Sequence, residues 1–126
     1  MAIAATLLLV NCSKSTDPAS SAANCTFTFK GTTYSMAGPV CITLGTDQEL
    51  NAGNGTSGQV LGLNKSGSSN EINFSTNASD LNALYDSNLA GINPTITVSG
   101  KVWTFSGTLE NSNGDSGTIS GTCTCQ

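Results

Sequence analysis

From Cys25 onward the apolar residues of this chain recur at every second position, and short turn sequences interrupt the pattern at intervals that fix which residues must face each other. That periodicity belongs to half-buried strands, since successive side chains on a strand point to opposite faces. Cys25, Phe27 and Phe29 alternate with Thr26 and Thr28, Lys30-Gly31 can turn, and Thr32 to Met36 returns. A two-residue loop there sets Phe27 against Tyr34 and Cys25 against Met36, gathering the bulky groups on one face. Gly67-Ser68 does the same for a second hairpin, in which Leu63 meets Ile72 and Leu61 meets Phe74. Ser99-Gly100 closes a third, pairing Ile96 with Trp103 and leaving Thr95 and Thr97 on the other side. The last hairpin needs a loop of odd length to keep Leu109 and Ile119 on one face. A three-residue turn, Asn113-Gly114-Asp115, meets that need and pairs Leu109 with Ile119, Phe105 with Cys123 and Trp103 with Cys125.

Val40 to Leu44 reads as a further strand. Only Asn77 to Leu89 carries a helical period, with Leu81, Leu84, Tyr85 and Leu89 on one side, Ser79 or Asn77 as N-cap and Gly91 beyond the end. The expected fold is therefore all-β: an antiparallel sandwich or barrel of seven to eight short strands with one short helical insertion near 77–89. Of 126 residues, Ser, Thr, Asn and Gly supply 61, and residues 12–126 hold only 21 Leu, Ile, Val and Phe. A core so thin favours covalent reinforcement.

The N-terminus reads differently. Ala2 to Val10 is an apolar run about half the length that a membrane-spanning helix needs. It ends in Leu9-Val10-Asn11-Cys12, which resembles the lipobox of bacterial lipoproteins. The resemblance covers the N-terminus alone. It implies a signal peptide over residues 1–11, cleavage before Cys12 and acylation of Cys12, and Ser13 after it points to an outer-membrane destination. No Lys or Arg precedes the run, which suggests a start upstream of Met1. Residues 12–24, polar and without period, read as the lipidated cysteine and a flexible tether, with a single domain over 25–126.

With Cys12 assigned to lipid, Cys25, Cys41, Cys123 and Cys125 remain, an even number in an exported domain, and are expected as two disulfides. Cys123 and Cys125 lie too near along one strand to favour each other. Each bridge therefore joins an N-terminal strand to the C-terminal one. Of the two such pairings the reading leans to Cys25 with Cys125 and Cys41 with Cys123, although Val40, Ile42 and Leu44 compete with Cys41 for the inner face of their strand.

Composition also limits function. Without His or Arg, and with a net charge of −4, the chain lacks imidazole catalysis, His-ligated zinc and the cationic surface that nucleic acid requires. No cofactor and no metal is expected. Asp47 to Gly53 begins like a calcium loop but carries Gly58 where the ligand set needs Glu. Lys65-Ser66 beside Glu71 falls at an exposed turn. Among the aromatic residues, Tyr85 alone is left free of the core face to serve as a sugar platform. Thr26, Thr28, Thr33, Thr104, Thr108, Thr118, Thr122 and Thr124 form the outward, solvent-facing counterpart of the core face. The reading is a membrane-anchored envelope lipoprotein that acts as a binding or structural module, not an enzyme, with a glycan or an envelope protein as its partner and no catalytic residues. Two alternatives stand beside it, a carbohydrate-binding accessory module and a small hydrolase. The hydrolase would bring two or more of Glu71, Asp80, Asp86 and Glu110 into one concave pocket.

Overall fold

The computed structural model describes residues 23–126. The expected signal peptide, Cys12 and nearly all of the expected tether lie outside them. Ten strands form one antiparallel sheet, and the sequence-based expectation of an all-β architecture holds.

Strands β1 (Asn24–Phe29) and β2 (Thr32–Ala37) make the first hairpin in the expected register, Phe27 opposite Tyr34 and Cys25 opposite Met36. Lys30 and Gly31 both adopt positive φ, at 49° and 79°, as a turn with the twist of its flanking strands demands. β5 (Gln59–Ser66) and β6 (Ser69–Ser75) pair Leu63 with Ile72 and Leu61 with Phe74, again as the loop dictates. Before them come β3 (Val40–Leu44) and β4 (Asp47–Asn54).

Two turns fall elsewhere than expected. Between β8 (Thr95–Ser99) and β9 (Val102–Glu110) the loop is Gly100-Lys101, one residue later, so Ile96 faces Phe105 and Val98 faces Trp103. A loop displaced by one residue shifts the register by two, which is why the inner face is unchanged. Between β9 and β10 (Ser116–Thr124) the loop has odd length but five residues, Asn111 to Asp115. Its organiser is Asn111: the buried side-chain oxygen accepts from the backbone N–H of Asn113 and Asp115, and Nδ2 donates to the Asn82 carbonyl. The longer loop puts Leu109 opposite Gly117, Phe105 opposite Gly121 and Ile119 opposite Gly107. Large residues thus face glycines across the ladder, and Cys123 moves opposite Trp103.

The expected helix over 77–89 is broken. A 3₁₀ turn at Leu81–Ala83 and a four-residue α1 at Ser87–Ala90 flank a three-residue strand, β7 (Leu84–Asp86). The side chains of Asp80 and Asp86 cap the two pieces by accepting from the N–H of Asn82 and Asn88, and this local hydrogen bonding overrides the helical spacing of the leucines. Gly91 ends α1 in the left-handed region, as its position implied. Pairing of Phe74 with Tyr85 turns Tyr85 inward, while Leu81, Leu84 and Leu89 stay exposed.

The sheet runs β2-β1-β10-β9-β7-β6-β5-β4-β3, with β8 beside β7 on the side of β9 away from β10. It is continuous through a single pair, Asp86 with Glu110, where its two halves fold over each other like a sandwich. Phe27 meets Phe74 edge-on at 5.1 Å between ring centroids, and Phe29 meets both Phe74 and Tyr85. One core results, holding Phe105, Leu50, Leu61, Leu63, Ile72, Leu109, Ile119 and Trp103 in addition. No ladder joins the edges β2 and β3, so the sheet is open there.

Candidate functional site

All four cysteines within the described residues are paired. Cys25 bonds Cys123 and Cys41 bonds Cys125, each an N-terminal strand to the C-terminal segment, but in the opposite combination to the one favoured from sequence. The β1–β10 register sets Cys123 directly beside Cys25, where both are fully buried. Cys125 lies beyond the end of that ladder, its N–H bonded to the Lys101 carbonyl, and from there reaches β3. Cys41 turns toward it, so Val40, Ile42 and Leu44 all point outward and are exposed. Asn24, which the sequence assigned to the tether, is the first residue of β1.

None of the acids expected to converge in a hydrolase lines a cleft described among residues 23–126. One surface cleft, about 340 Å³, lies between the β5–β6 turn and α1 and is lined by Ser68, Asn70, Asn88, Asn93 and Pro94 with neighbours, none of them charged. Within it Asn70 donates to the Pro94 carbonyl and receives nothing at Oδ1. A second, near the chain's end, is lined by Cys41 and Cys125. A third holds two carboxylates, Asp47 and Glu49, which project from β4 beside the exposed Ile42 and Leu44. Of the four acids that sequence singled out, Asp86 and Glu110 are ladder partners, Asp80 caps the 3₁₀ turn, and Glu71 accepts from Asn73 on its own strand. Among the described residues no group of three His, Cys, Asp or Glu side chains could hold a metal ion.

A polar constellation that sequence reasoning missed sits where the β1–β2 and β9–β10 turns meet. Asp115 Oδ2 accepts from the Tyr85 hydroxyl at 2.6 Å and from Lys30 Nζ at 2.6 Å, and Lys30 lies over the Tyr85 ring. The hydrogen bond from Lys30, followed by that from Tyr85, lowers the Asp115 pKa below its usual carboxylate value. The same bond raises Lys30, and the bond to Asp115, then burial, raises Tyr85. Asp115 was legible only as turn chemistry, and nothing local in the sequence announces that residues 30, 85 and 115 meet. With Lys30 and Asp115 open to solvent, the group fastens two turns together and builds no cavity.

Tyr85 therefore offers no sugar platform, because its ring is in the core and its hydroxyl is bonded. Trp103 is likewise buried, 3% exposed. The threonines do face outward: Thr26, Thr122, Thr104 and Thr97 form one rank across β1, β10, β9 and β8. No protein-family model matches the chain, and no curated protein is significantly similar to it.

Proposed function

We propose that this chain is a lipid-anchored lipoprotein of the bacterial envelope, held to the outer membrane through Cys12, whose β domain works as a binding or structural module. The observation that carries this reading is the division of labour among five cysteines. Two disulfides occupy Cys25, Cys123, Cys41 and Cys125, which is the behaviour of a protein that matures in an oxidising compartment. Cys12, the remaining cysteine, closes the Leu9-Val10-Asn11-Cys12 sequence that resembles a lipobox. Ten residues lie between it and Ala23, the first described residue, and the eleven residue steps across them reach at most roughly 35–40 Å. The domain can thus stand clear of the bilayer while the acyl groups remain inserted. A single acyl chain anchors only marginally, so the several chains of a lipoprotein are needed for lasting attachment.

Two features favour binding or support over chemistry. None of the four acids lines a described cleft, although Asp86 and Glu110 are ladder partners, and the uncharged cleft of Ser and Asn side chains suits a neutral partner such as a glycan. The test is metabolic labelling with a tagged fatty acid followed by membrane fractionation. Wild-type protein takes up label and sediments with membranes, whereas Cys12→Ser does neither. A wild-type chain that never takes up label, or a Cys12→Ser chain that stays on the membrane, overturns the proposal.

A further inference from the structure

We propose that the two disulfides have different tasks: Cys25–Cys123 is a permanent staple, and Cys41–Cys125 is a reducible latch that holds β3 onto an otherwise open sheet. The first bridge is shut inside the core, with both residues fully buried between ladder partners of β1 and β10. The second lies at the margin of the core, where Cys125 is buried at 9% exposure. Cys41 is only half-buried, and a cleft of about 270 Å³ beside the bridge is walled by both cysteines, Gly38, Pro39, Val40 and Gln126.

What the latch holds is equally specific. β3 is the last strand of the sheet, and it buries no side chain fully. Val40, Ile42 and Leu44 are 59%, 42% and 72% exposed, and Thr43 on the inner side is exposed as well. No ladder connects β3 to β2 across the opening. β3 is therefore retained by its backbone pairing with β4 and by one covalent bond, since it supplies almost no apolar burial of its own. An isolated pairing of this kind is marginal in water.

Reduction is by a dithiol. Its thiolate attacks one sulfur of Cys41–Cys125, and a mixed disulfide forms as the Cys41–Cys125 bond breaks. The second thiol, as a thiolate, then attacks that mixed disulfide and displaces the cysteine still held in it. The dithiol leaves as a disulfide, and Cys41 and Cys125 each end as a protonated thiol. β3 then frays, baring the edge of β4, while the core and the first bridge persist.

The experiment treats the native full chain with graded dithiothreitol, traps thiols with iodoacetamide, maps the alkylated peptides, and follows backbone hydrogen exchange in parallel. Cys41 and Cys125 should become alkylated at least tenfold faster than Cys25 and Cys123. Exchange should quicken at least tenfold over Val40–Leu44 and in the β4 amides facing it, with β1 and β10 unchanged. The Cys41→Ser/Cys125→Ser double variant should show that exchange pattern without reductant. Simultaneous reduction of both bridges, or a β3 that stays protected in the reduced chain or the double variant, overturns the proposal.

Discussion

Gly121 tests whether the register of the final hairpin is right, because only that register places a glycine opposite Phe105 on one side and Phe27 on the other. A Cβ added there would stand 2.5 Å from the Thr26 carbonyl oxygen and 2.6 Å from the Phe27 Cα, and would also meet the Phe27 Cβ. Two of those are backbone atoms. They cannot rotate away, and β1 cannot retreat from β10 because the Cys25–Cys123 bridge ties the strands one ladder step of two residues away. Replacing glycine with alanine inside a strand ordinarily stabilises by about 0.5–1 kcal/mol through backbone entropy. Overpacking costs about 1–3 kcal/mol, and contact with backbone places this site at the upper end. Gly121→Ala should thus lose about 2 kcal/mol net, roughly 10 °C in melting temperature for a domain of this size. Gly62→Ala is the control, since its Cβ would find only ordinary contacts, 3.5 Å to Asn51 and 3.8 Å to Asn73. It should be neutral or slightly stabilised. Urea unfolding followed by the fluorescence of Trp103, the only tryptophan, reads both. A Gly121→Ala protein as stable as wild type would refute the register and the packing argument built on it.

Three further outcomes follow from the same geometry. Trp103→Ala should lose about 3–5 kcal/mol in urea unfolding followed by far-UV circular dichroism, as a buried indole does, and a loss below about 1 kcal/mol would place the ring outside. The lowered Asp115 pKa contributes stability that is present above the carboxyl's unfolded value of 3.8 and is lost as pH falls through the folded one. Melting temperature should therefore decline below about pH 4 more steeply in wild type than in Asp115→Asn, and Tyr85→Phe should have little added effect in the Asp115→Asn background. The two bridges should not add. With Cys25–Cys123 intact, Cys41–Cys125 closes an effective loop of about eighteen residues, sixteen from Cys25 to Cys41 and two from Cys123 to Cys125, and its removal should cost about 3 kcal/mol rather than the 4–5 of its 84-residue separation.

The turns explain which parts of the fold were legible. Lys30-Gly31 and Gly67-Ser68 each sit between strands whose alternation tolerates only one register, so turn chemistry and apolar pattern agree. At Asn113-Gly114-Asp115 they agreed on parity alone. A three-residue and a five-residue loop keep the same faces inward, and the choice between them was made by Asn111, whose side chain reaches its own loop and the Asn82 carbonyl. Around residues 77–89 the leucine spacing was genuine but served no helix, because two aspartate caps cut it and Tyr85 gained more from the core than the leucines did. The constellation of Lys30, Tyr85 and Asp115 unites two turns and the strand β7, far apart in sequence, and no local pattern encodes such a meeting.

The account rests on the assignment of five cysteines, one to lipid and four to two bridges, and the intact mass of the protein extracted from membranes reads all five at once. It should correspond to a chain that begins at Cys12 and bears a diacylglycerol group and one further acyl group, lighter than the reduced form by the four thiol hydrogens of two disulfides. A chain that retains the residues before Cys12 and carries no acyl mass, or whose mass does not rise on reduction, contradicts it.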